Sequence, residues 1–136
     1  MKKIYLIAAF AFLVSCGKEK REEIQKNLIM EAMTNGFWKV TSFIKGGTDI
    51  TTDFSAYKFQ FKDNLTVDAI NGGSVEKTGT WNADANTYTI TSNFSGAVNP
   101  LAYLNGTWTI TSTTWTQVYA NQTVSGELRT LRMDKL

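Results

Sequence analysis

Over Tyr57-Lys58-Phe59-Gln60-Phe61-Lys62 the side chains alternate strictly, with three aromatics on one face and two lysines and a glutamine on the other. A period of two is the signature of a half-buried antiparallel strand. From Gly36 onward the same character recurs in short runs rich in β-branched and aromatic residues. The runs predict strands over Gly36–Lys45, Tyr57–Lys62, Leu65–Ile70, Val75–Trp81, Tyr88–Phe94, Gly106–Ser112, Trp115–Ala120 and Glu127–Lys135. Turn formers separate most of them: Gly46-Gly47, Asp63-Asn64, Asn71-Gly72-Gly73, Ala83-Asp84-Ala85-Asn86, and a turn near Asn121-Gln122. About eight strands joined mostly by short connections predict an all-β fold, an antiparallel up-and-down barrel whose closure removes exposed edges. A two-sheet β-sandwich is the alternative. Alternation points Trp38, Val40, Phe59, Phe61, Leu65, Val67, Trp81, Tyr88, Ile90, Trp108, Ile110, Leu131 and Met133 inward. Around Trp115 the phase stays open, because Trp115 and Tyr119 cannot share a face with Val118.

The first 35 residues follow a different pattern. Met1-Lys2-Lys3 is positive, and the apolar run from Ile4 to Val14 is too short for the roughly 20 residues of a spanning helix. Residues 1–15 are therefore expected to be an export signal. Its end, Leu13-Val14-Ser15-Cys16, matches the lipobox of bacterial lipoproteins, in which the thiol is acylated before cleavage, so Cys16 is the expected lipidation site. Residues 16–35 then form a tether and a short helix preceding a domain over 36–136. In the helix, Ile24, Leu28 and Ala32 follow i, i+4 spacing. The charged stretch before it, with Lys18-Glu19 and Glu22-Glu23, suits either a polar spacer or an address for surface export. The expected location is the cell envelope, membrane-anchored through lipid at the outer membrane, with either leaflet open.

Composition narrows the chemistry. The 136 residues hold one cysteine, one proline and no histidine, enough for a single core. Fourteen basic residues face 12 acidic ones, and two of the basic residues lie in the signal, so the mature chain is neutral and has no pull toward nucleic acid. Without histidine, and with its thiol reserved for lipid, the chain lacks the main residues of nucleophile–imidazole catalysis and of the usual zinc sites. Asp49 with Asp53, and Asp63 with Asp68, are carboxylate pairs, but each sits at a predicted turn, where aspartate is favoured for local hydrogen bonds. The expectation is a protein that is not an enzyme and uses neither cofactor nor metal.

Gly36-Phe37-Trp38 at the opening strand resembles the Gly-x-Trp signature of lipocalins. Asn105-Gly106-Thr107-Trp108-Thr109-Ile110, with the closing Leu131-Arg132-Met133-Asp134-Lys135-Leu136, is similar to the small lipocalin-like lipoproteins of bacteria. The resemblance implies an eight-stranded cup for a small apolar molecule, with a tryptophan at the closed end beneath a basic side chain from the last strand. In a closed antiparallel barrel the end of the last strand lies beside the start of the first. Lys135, ahead of Arg132 and Arg129, is thus the expected structural cation–π partner of Trp38.

Two functions follow as expectations. One is a cup binding a small hydrophobic or amphipathic ligand, with Trp38, Phe43, Phe54, Tyr57, Phe59, Phe61, Trp81, Tyr88, Tyr103 and Trp108 as candidate lining. Phe43, Phe54, Tyr57 and the irregular Phe94-to-Leu104 connection, which holds Pro100, are the expected mouth. The other is a structural or partner-binding lipoprotein with a filled barrel, which meets another envelope protein through a strand edge or that connection.

Overall fold

A computed structural model of the protein describes residue 24 and residues 26–136. The expected signal and the expected lipidation site, Cys16, lie outside the described residues. A helix, α1, over residues 26–34 leads into nine strands: β1 (Trp38–Lys45), β2 (Thr48–Asp49), β3 (Tyr57–Phe61), β4 (Thr66–Asn71), β5 (Ser74–Asp84), β6 (Thr89–Asn93), β7 (Gly106–Thr113), β8 (Gln117–Val124) and β9 (Glu127–Lys135). From β3 to β9 each strand pairs antiparallel with the next, and β9 pairs back onto β1 from Trp38↔Lys135 to Lys45↔Arg129. The result is a closed eight-strand up-and-down barrel, not a sandwich, with β2 as an extra strand on β1.

The two seams of β1 differ. Its pairing with β9 is long, whereas β3 meets it only at Trp38↔Phe59. Beyond that point the strands diverge, and β2 with the 3-10 turn Thr51–Phe54 fills the gap by inserting buried Phe54. Strand polarity gives the barrel two distinct ends. Connections 62–65, 85–88 and 114–116 share one end with α1, the start of β1 and the end of β9; the β1–β2, β4–β5, β6–β7 and β8–β9 connections form the distal end.

Most inward positions expected from alternation are buried, and two are not. Leu65 and Tyr88 are exposed because each precedes its strand with left-handed backbone, φ 67° and 53°. That conformation breaks the alternation before it reaches them. Asn121-Gln122 is no turn: β8 runs on to Val124, with Asn121↔Thr130 and Gln122↔Arg129 in register, and the chain reverses at Ser125-Gly126. The open phase around Trp115 is resolved with Val118 inward and Trp115 exposed in the β7–β8 connection. Helix α1 also presents a different face from the expected one. Ile29, Met30 and Met33 pack on the core, and Ile24 and Leu28 are exposed.

Candidate functional site

The barrel interior is the natural place to look for a site, and it is closed from both directions. At the distal end Phe43 and Phe54 stack with centroids 5.2 Å apart, and Trp108 meets Phe43 edge-on at 5.8 Å. Tyr57 stacks on Phe59 at 6.0 Å, and Phe94 leans on Phe59 from the β6–β7 connection. The expected mouth residues therefore plug the opening. Phe94, Leu101 and Leu104 of that connection are buried, and its position is fixed by Asn105, which accepts from the Phe94 N–H at 2.6 Å and donates to the Phe94 carbonyl.

At the helix end Trp38 is fully buried and donates its indole N–H to the Met33 carbonyl at 3.0 Å. Lys135 Nζ lies 5.1 Å from the Trp38 ring centroid and donates to the Ala32 carbonyl at 2.9 Å. Both bonds satisfy C-terminal carbonyls of α1 that have no partner within the helix, and a cation there suits the helix dipole. Arg132 and Arg129 lie elsewhere, over the Tyr119 and Tyr103 rings.

Between these closures remains an apolar cavity of about 50 Å³. Of the ten aromatics expected to line a ligand, Phe59, Phe61 and Trp108 border it. Trp38, Phe43, Phe54, Tyr57 and Trp81 are buried in the packing around it, with Trp81 edge-on to Phe61 and its N–H on the Lys62 carbonyl. Tyr103 is half-buried over the distal end, 6.4 Å from Phe43 and between Lys45 and Arg129, and Tyr88 points to solvent. The lining that alternation missed includes Met33 from α1 and Phe94 and Leu104 from the β6–β7 connection. None of these sits on a strand, and a second i, i+4 pair in the helix, Ile29–Met33, was the available signal.

Polar groups do not converge on the cavity. Ser92 borders it, but its hydroxyl donates to the Leu104 carbonyl. The Trp108 N–H is taken by the same carbonyl, and among the described residues every buried side-chain nitrogen or oxygen has a partner. The carboxylates do not border the cavity; Asp49 is exposed and Asp68 is buried beneath its partners. Asp49 accepts from Thr51, which holds it below the usual carboxylate range. Asp68 takes Lys62 at 2.8 Å and Thr78 at 2.6 Å, and these hydrogen bonds lower its pKa. Burial, and then the carboxylate of Glu76 that its hydroxyl contacts at 2.8 Å, push the Tyr57 phenol up.

What the residues define is an antiparallel barrel with a packed interior and a helix across one end. The fold is similar to that of a DUF4847 family protein from Bacteroides vulgatus ATCC 8482, solved as a crystal structure, with TM-score 0.54 and 14% identity over 78% of this chain and 96% of that one. At that identity the likeness is one of fold. No family model matches the chain, and no curated protein does either.

Proposed function

We propose that the chain is an envelope lipoprotein, anchored through lipid on Cys16 at the outer membrane, whose lipocalin-like barrel is a filled, non-enzymatic domain that presents its outer surface to a partner in the envelope. The observation that carries this reading is the size of the interior. About 50 Å³ holds a few waters at most, against roughly 300–1,000 Å³ for pockets that take small molecules. Among the described residues the polar side chain bordering the cavity is Ser92, whose hydroxyl is already taken by the Leu104 carbonyl, and this supports the reading, since a ligand would have little to fix its orientation.

A second reading, a cup for a small apolar molecule, draws on one feature. Part of the cavity wall is Met33, a flexible side chain on a helix laid across the barrel end, so displacing it would enlarge the space. Native mass spectrometry of the protein extracted from its own membrane, before and after loading with total lipid extract, separates the two. The filled-barrel reading expects the bare mass under both conditions. A reproducible adduct that disappears when Ala120→Leu fills the cavity would replace it with the cup.

A further inference from the structure

We infer that the helix end of the barrel is a membrane-docking face, seating Leu28, Leu65, Tyr88 and Trp115 in the headgroup region of a lipid bilayer. The inference rests on the lipid anchor at Cys16 proposed above and adds an orientation to it. Strand polarity places the connections that carry Leu65, Tyr88 and Trp115 at one end of the barrel, together with α1. All four side chains are exposed there: Trp115 by 54%, Tyr88 by 48%, Leu28 by 43% and Leu65 by 39%. Leu28 and Trp115 flank an apolar groove of about 320 Å³ between the helix and Thr113-Thr114.

Exposed aliphatic side chains also occur at the distal end, at Val75, Val98, Val124 and Leu128, but among the described residues the exposed large aromatics, Trp115 and Tyr88, are both at the helix end. The other three tryptophans, Trp38, Trp81 and Trp108, are at most 3% exposed, so the fold buries indole wherever it has a core to offer. Leu65 and Tyr88 are held outside by left-handed backbone, a conformation that bulky residues rarely adopt. Tryptophan and tyrosine are the side chains enriched at membrane–water interfaces, where an apolar ring and a polar tip each find their medium.

Chain continuity identifies the occupant as lipid. Cys16 precedes Ile24 by eight residues, which span at most about 28 Å when fully extended. The lipid on Cys16 is therefore tied to the end of the barrel where α1 sits. Charge argues for apolar insertion over attraction to anionic headgroups. Lys62 is paired with Asp68, Thr113-Thr114-Trp115-Thr116 carries no charge, and the charges left exposed at this end are of both signs, Asp63 and Asp84 at the connections and Lys26 and Glu31 on α1.

The burial of the other indoles makes Trp115 a built-in probe. The full lipidated chain is reconstituted into phosphatidylcholine vesicles whose acyl chains carry bromine near the headgroups. Docking predicts bromine quenching that Trp115→Ser removes, a several-fold fall in quenching by aqueous iodide, and no response to added salt. Iodide quenching as strong on vesicles as for soluble Cys16→Ser chain would overturn the docking face and leave the anchor standing. Trp115 shielded in native membranes but open on pure lipid would assign the face to a protein and equally overturn the proposal. The intact mass of the chain tests the anchor separately. If Cys16 carries no lipid, the Cys16→Ser chain mixed with the same vesicles decides the docking face alone, kept by bromine quenching and lost without it.

Discussion

At the residue scale, Gly79 shows how tightly the β6–β7 connection is pressed against the barrel. Opposite Val67 on β5, it has room for a hydrogen only, since a Cβ there would lie 2.5 Å from the Asn93 carbonyl oxygen and 2.7 Å from the Phe94 ring. The obstacle is backbone, which cannot swing aside like the end of a long side chain. Gly79→Ala is expected to cost about 1–3 kcal/mol, the usual penalty of overpacking, read as a lower urea midpoint with an unchanged slope. Gly79 stands in the predicted strand Val75–Trp81 with nothing in its neighbours to announce that contact. The reason lies 14 and 15 residues downstream, at the last residue of β6 and the first of the connection after it, whose path follows from the fold. Leu65 and Tyr88 eluded alternation for a related reason, since a period of two says which face a strand residue takes but not where the strand begins.

At the scale of elements, the β6–β7 connection closes the distal end through one side chain. Asn105 bonds both the N–H and the carbonyl of Phe94, joining the ends of the 94–104 segment as a strand pair would. Removing that amide leaves the Phe94 N–H without its partner beneath the loop, while the Phe94 carbonyl keeps the Ala97 N–H at 3.1 Å. Asn105→Ala is expected to destabilise by roughly 1–3 kcal/mol and to make the segment the first site of limited proteolysis, while strand signals by circular dichroism persist. Strands were the legible part of the chain: Glu127–Lys135 has the predicted bounds, and Tyr57–Phe61 falls one residue short of them. Asn121-Gln122 misled because turn propensity is local, whereas β8 is extended there by eight cross-strand partners in β9. The helix offered two overlapping stripes, Leu28–Ala32 and Ile29–Met33, and only packing against the barrel chooses between them. The cavity lining was correspondingly half legible, since its strand residues follow alternation and its helix and loop residues do not.

For the whole molecule, closure depends on β1, and the two seams that it makes are unequal. With β3 sharing a single residue pair, the β1–β9 seam carries the barrel, and it is laced with charge. Glu127 takes Arg129 at 3.0 Å and Lys45 at 3.2 Å, and those hydrogen bonds hold its carboxyl below the usual range. Burial raises the Asp134 carboxyl, but hydrogen bonds from Thr41 and Arg132 outweigh it and the net direction is down. Asp68 is lowered by Lys62 and Thr78 on the far side of β3. A carboxylate depressed by folding binds its proton less readily in the native state than in the unfolded chain. Its contribution is therefore fully present above the unfolded value near 4 and is lost as pH falls through the lower folded value. Tyr57 acts with the opposite sign: its folded pKa is raised, so the unfolded chain ionises first and stability declines as pH rises past about 10. Urea midpoints are thus expected to form a plateau through neutral pH, with an acid limb beginning below about pH 4 and an alkaline limb above about pH 10. Asp68→Asn and Glu127→Gln should each lower the plateau and flatten the acid limb, because they remove the proton uptake that produces it. An acid limb as steep in the double variant as in the parent would mean that other carboxylates, and not these pairs, hold the barrel closed.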